Sequence, residues 1–258
     1  MQCIRFLVGF FLLIESNFLF ANSGKITVAV HHSPPYTMTH DVSEPKGVIV
    51  DILRPIAQQL GVKLKPVACP FSRCMHMLEQ GEVDIMGSLI RTPEREKQFT
   101  FLTPPYMALH SSFRFYSLRS NDVSVEKYED LRGKRIATMR GAVHFKRFDN
   151  DKEITRVPVM SEQIAVEMLL KDRVDLFIGV EDTADHSMGY LKLPTERLVK
   201  QPYQFEDSIF GHMVFSQKFS QTTLASELMM HYRAMADTGR LSEIVAPYAL
   251  PPVPSYSL

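Results

Sequence analysis

The side chain with the clearest chemical reading is Arg95, because of what precedes it. Thr92-Pro93-Glu94 is a helix start, with threonine as N-cap and proline at the first helical position, so Arg95 falls one turn into a short helix. Val83 to Leu89 is a short apolar run suited to a strand covered on both faces. Arg95 therefore stands just beyond the C-terminal end of a strand, where open α/β sheets place their ligands. A guanidinium there is free to fork a carboxylate. Two further features point to recognition of a small anion. Tyr36, at the end of the turn His31-His32-Ser33-Pro34-Pro35-Tyr36, supplies an apolar wall with one polar tip. Arg140-Gly141-Ala142-Val143-His144 is a strand-to-helix turn whose backbone N–H groups can receive an anion. The sequence carries no Ser-His-Asp order, no phosphate loop and no metal constellation. The nine histidines show no i, i+4 pair on a helix, and adjacent His31 and His32 point to opposite faces of an extended segment.

The elements that must position these residues follow a strand-then-helix rhythm. Ile26 to Val30 reads as the first strand. A helix follows Gly47 with Ile52, Leu53, Ile56 and Leu60 on one face; Pro55 is tolerable only if that helix starts near Asp51. Strand 62–67, a helix over 72–80 and the strand before Arg95 come next, then an extended stretch over 111–118. The rhythm restarts at Arg135 to Met139. A helix from Ser161 presents Ile164, Ala165, Met168 and Leu169 to a core, ahead of strand Val174 to Gly179. Asp207 to Phe215 is an extended return, and Leu224, Leu228, Met235 and terminal Gly239 define a last helix. Two crossings between two lobes result, near 110–116 and 206–213, and two such strands make a hinge.

The order G-x-x-D strand, T-x-x-R and aromatic-Pro-Tyr in 81–106, the stretch Leu131-Arg132-Gly133-Lys134-Arg135-Ile136-Ala137, and the ending Thr238 to Ile244 with Pro247-Tyr248 resemble the extracellular solute-binding proteins of family 3. The resemblance covers roughly residues 24–250. It implies an α/β, two-lobed, type II periplasmic-binding-protein fold, each lobe a mostly parallel sheet flanked by helices, joined by a two-strand hinge. It divides the chain into a leader at 1–23, the first part of lobe 1 at 24–110, lobe 2 at 111–208, and a return crossover with the rest of lobe 1 at 209–258. It implies that Arg95 holds a ligand carboxylate, that Ser88 hydrogen-bonds the ligand and that Phe71 packs on it. Ile90 stands where many amino-acid binders have a second polar contact, and Ala142 where the family has a hydroxyl. At Val180 the family's amino-acid binders carry an aspartate for the α-ammonium; Glu181 or Asp182 can substitute only with a slip of one or two residues. The function implied is capture of a small anionic or zwitterionic solute for an inner-membrane ABC permease, by a monomer that is not an enzyme and needs no cofactor. Two alternatives stand beside it: a periplasmic lyase or dehydratase with Glu181 as general acid, and a sensory module for a membrane receptor.

Composition fits that reading. Lys and Arg total 29 and so do Asp and Glu, a balance that argues against nucleic acid as partner. Arg5, the apolar run Phe6 to Ile14 and small residues at Ala21 and Ser23 read as a signal peptide cleaved near Ser23, hence a periplasmic protein. Only Cys69 and Cys74 follow it. In an oxidising compartment their spacing predicts a disulfide; a lone C-x4-C lacks the second ligand pair of a structural zinc.

Overall fold

The computed structural model describes residues 24–253; the expected signal peptide lies outside the described residues. The first half contains β1 (Lys25–Val30), the short pair β2 (Thr37–Met38) and β3 (Lys46–Gly47), α1 (Val48–Gln59), β4 (Lys63–Ala68), α2 (Phe71–Glu79), β5 (Ile85–Leu89), α3 (Pro93–Glu96) and β6 (Phe99–Phe101). The chain crosses along β7 (Met107–Leu118) into β8 (Arg135–Met139), α4 (Lys146–Asn150), β9 (Thr155–Val159), α5 (Glu162–Leu170), β10 (Leu176–Val180) and α6 (Glu181–Tyr190). It returns along β11 (Leu198–Ser216) to α7 (Gln217–Ser220), α8 (Thr223–Asp237) and α9 (Arg240–Val245).

The strand order is β4-β1-β5-β11-β7-β10-β8-β9, with β6 also on β11. In lobe 1, β4, β1 and β5 are parallel; in lobe 2, β10, β8 and β9 are parallel. The two lobes share β7 and β11, which pair antiparallel from Leu198↔Leu118 to Gly211↔Met107. Beyond that register β11 leaves β7 and pairs with β5 at Val214↔Met86. These two strands are the hinge. The inner parallel strands β1, β5 and β10 are mostly buried, whereas the edge strands β4 and β9 carry exposed polar residues.

Two local expectations are corrected. Helix α1 begins at Val48, not near Asp51, so Pro55 lies in its interior. An interior proline costs about 3 kcal/mol, but Val48, Ile49, Val50, Ile52, Leu53, Ile56 and Ala57 are all buried. Each large one contributes roughly 1.5–3 kcal/mol, so packing wins. On α5 the core face is Ala165, Val166 and Leu169, while Ile164 is 39% exposed: the helix is turned toward β8 and β10 by the residues that fit there. As expected, Gly239 ends the helix that carries Leu224, Leu228 and Met235: its left-handed φ of 78° turns the chain from α8 into α9. Gly47 is the residue that brings Tyr36 to the cleft. Its φ is 134°, and a Cβ there would lie 2.2 Å from the Tyr36 carbonyl oxygen, so only glycine lets this strand pair close.

Candidate functional site

Between the lobes lies a cavity of about 140 Å³. Tyr36, Phe71, Ser88 and Arg95 border it from lobe 1, and Ala142 from lobe 2. Arg95 is placed as its local sequence demands. The Thr92 hydroxyl accepts from the Arg95 backbone N–H at 3.3 Å, capping α3. The side chain is only 7% exposed. One terminal nitrogen donates to the Ile90 carbonyl at 2.8 Å, and the other reaches across the cleft to the Gly141 carbonyl at 2.9 Å. Burial lowers its pKa, with Asp149 opposing from a distance, but no carboxylate among the described residues pairs with it. Glu96, a neighbour along the chain, is bridged to Arg91 instead. A buried guanidinium whose only acceptors are carbonyls keeps N–H donors and a full positive charge for a ligand.

The remaining polar groups around the cavity are mostly neutral. Ser88 and Tyr106 share a hydrogen bond of 3.2 Å between their hydroxyls, and Ser88 holds a left-handed φ of 63°, a strained conformation of the kind that clusters at ligand sites. Burial lifts the Tyr106 phenol to about 12; burial, with Asp182 and Glu162 nearby, does the same to Tyr36, so both keep their protons. His31 is held neutral, its pKa lowered to about 4 by burial and by His32 beside it, and its ring meets Phe71 edge-on at 5.2 Å. His32 faces the other way and stacks on His40, as strand alternation requires.

Lobe 2 supplies groups that sequence reasoning missed. His144 lines the cavity with Nδ1 at 3.2 Å from Asp149, which also accepts the His144 backbone N–H at 2.8 Å. Glu162, the first residue of α5 after its N-cap Ser161, lines it as well. Burial raises the Glu162 pKa, partly offset by the Ser187 hydroxyl. The available signal was positional: both residues follow the C-terminal end of a parallel strand.

Two expectations on lobe 2 need correction. The Ala142 N–H donates to the Met139 carbonyl at 3.0 Å, and the Gly141 carbonyl takes Arg95, so the turn is partly used up internally. Gly141 has φ 83°, and its Cα faces the Phe71 ring, which makes the turn a contact between lobes. Glu181 does not line the cavity. It starts α6 on the side of the hinge, accepting from Ser112 at 2.6 Å, Arg114 at 2.9 Å and Lys200 at 2.7 Å. Burial alone would raise its pKa, but these partners hold it at about 2. A carboxyl so firmly ionised is a poor general acid near neutral pH. Asp182 lines the same outer depression and not the cavity, though it stands near enough to Tyr36 to help raise its pKa. Val180 itself borders the cavity with an apolar side chain.

Cys69 and Cys74 form a disulfide, with Cα atoms 5.4 Å apart, joining the end of β4 to α2 and so fixing Phe71 between them. Among the described residues no group of histidine, cysteine and acidic side chains is arranged to hold a metal, and no helix is long and apolar enough to cross a membrane.

The sequence profile of the bacterial extracellular solute-binding proteins, family 3, matches residues 26–250. A probable histidine-binding protein of Campylobacter jejuni is 28% identical over 166 residues, which is 62% of each chain. A putative ABC transporter arginine-binding protein 2 of Escherichia coli is 30% identical over 153 residues, covering 58% of this chain and 60% of that protein. The matched stretch thus spans about three fifths of these relatives' length. Among solved structures, an arginine 3rd transport system periplasmic binding protein from Legionella pneumophila superposes with a TM-score of 0.70 over 88% of this chain and 100% of its own, at 19% identity, a likeness of fold.

Proposed function

Since this chain belongs to the bacterial extracellular solute-binding proteins, family 3, we propose that it captures a small carboxylate-bearing solute of the amino-acid class in its inter-lobe cleft, outside the cytoplasm, and hands it to an ABC permease. One observation carries the reading. Arg95 is buried at the cavity wall, charged, and answered only by carbonyl oxygens. A ligand carboxylate supplies the counter-charge that the protein withholds, with a planar fork to receive it. Tyr36, Phe71 and Ser88 shape the lobe 1 wall, and the Gly141-Ala142 turn closes the other side.

Size narrows the class. A cavity near 140 Å³ is about what holds one benzene ring, which suits a single small solute better than a peptide or oligosaccharide. Two relatives are named for histidine and arginine, hence the amino-acid class. Glu181, ionised and away from the cavity, is not placed to be the general acid of the lyase alternative.

The test is a thermal-shift screen of residues 24–258 against L-amino acids, dicarboxylates, sugars and short peptides. A ligand at 100 times its dissociation constant stabilises by roughly 2.7 kcal/mol, so true ligands stand out. The expected shifts come from carboxylate-bearing small solutes, amino acids among them. Shifts from sugars alone would overturn the reading.

A further inference from the structure

Arg95 is not the only charge that the cavity leaves without a partner. Glu162 borders it from the opposite lobe, and no arginine, lysine or histidine among the described residues is in ion-pair contact with it; a serine hydroxyl is its neighbour. The two acids that stand nearest Val180 in sequence do not line the cavity. Glu181 is bridged to Arg114 and Lys200, and Asp182 lies in the outer depression beside Ser111 and Asp207. Glu162 is therefore the one carboxyl group among the cavity's described lining residues. A lone carboxylate in a site that closes around it is costly unless a cation arrives or it takes up a proton. The rise in its pKa on burial expresses the same cost.

We infer that Glu162 receives a positively charged nitrogen of the ligand while Arg95 holds the ligand's carboxylate, so that the cleft selects zwitterions. The inference rests on the carboxylate reading above and adds to it the second pole. The two charges belong to different lobes: Arg95 sits on α3, and Glu162 opens α5. A solute with both a carboxylate and a cationic nitrogen bridges them and draws the lobes together. A simple carboxylic acid satisfies only Arg95 and sets its own negative charge in the same cavity as Glu162. A cation without a carboxylate does the reverse. Val180, apolar at the wall, is then no defect.

The experiment compares wild type, Glu162→Gln, Glu162→Asp and Arg95→Ala by isothermal titration. The probes are the L-amino acid that gives the largest thermal shift among the standard twenty, and the same acid lacking its α-amino group. Wild type is expected to prefer the amino acid. Glu162→Gln should weaken the amino acid at least about tenfold, the loss typical of unpairing a buried charge, and narrow or abolish the preference over the deaminated acid. Glu162→Asp should recover part of the loss, and the melting temperature of the ligand-free Gln variant should not fall. Amino-acid affinity unchanged in Glu162→Gln, together with a loss in Arg95→Ala, overturns the role of Glu162 and leaves the carboxylate reading standing. So does a wild type that binds the deaminated acid as well as the amino acid. Affinity for both probes unchanged in Arg95→Ala overturns the carboxylate reading itself.

Discussion

At the scale of single residues, burial without charge compensation sets the behaviour of the cleft. His31 is 8% exposed and neutral, with a folded pKa of about 4 against an ordinary 6.5. The unfolded chain binds a proton at His31 between those values and the folded chain does not, so folding is favoured above pH 6.5 and penalised progressively as the pH falls toward 4. The full difference corresponds to about 3 kcal/mol. Thermal melts of the ligand-free protein should lose stability across this window, and His31→Gln should lose distinctly less. Parallel pH profiles for the two would refute the assignment. Arg95 and Tyr36 could be picked out from the sequence because each follows a turn signal whose punctuation is local, Thr92-Pro93 and the double proline at Pro34-Pro35, whereas Ser88 and Phe71 are implied only by the family resemblance. Glu162 could not. An acid in the first turn of a helix reads as an ordinary complement to the helix dipole, and its place near Tyr36, more than a hundred positions earlier, is a tertiary feature that no local pattern carries.

At the scale of elements, apolar periodicity revealed most strands and helices, and it failed where something other than periodicity holds the chain. The polar middle of β11, Gln204 to Ser208, is extended because it pairs residue by residue with β7, a partner no local pattern identifies. The start of α1 depends on packing that outweighs an internal proline. The junction of β4 and α2 is different, since the Cys69–Cys74 disulfide fixes it covalently. Closing so short a loop is worth about 2 kcal/mol on chain-entropy grounds, and it confines Phe71. Reductant, or a Cys69→Ser and Cys74→Ser double variant, should lower the unfolding free energy by that amount, with a lower denaturation midpoint, and weaken ligand binding. An unchanged midpoint would show that the bond contributes nothing to the folded state.

At the scale of the molecule, two lobes are joined by β7 and β11, and contacts cross the cleft between them. Arg95 bonds to Gly141, and Tyr36 stands near the His186 ring at 6.4 Å. Glu181 serves this architecture rather than the ligand, tying α6 to β7 through Arg114 and to β11 through Lys200. Glu181→Gln should leave ligand affinity within about threefold of wild type, a change of well under 1 kcal/mol. It should also destabilise the protein by about 1 kcal/mol, because solvent screens the partly exposed cluster. A large loss of affinity in that variant would return Glu181 to the site. The central claim is that Arg95 anchors the ligand's carboxylate, and titration calorimetry with the best amino-acid ligand on Arg95→Ala and Arg95→Lys tests it most directly. The alanine variant should remain folded and lose about 2–4 kcal/mol of binding free energy, as expected when a buried charge loses its partner. The lysine variant should also bind more weakly than wild type, because an ammonium does not reproduce the planar fork. Wild-type affinity in Arg95→Ala would contradict the account.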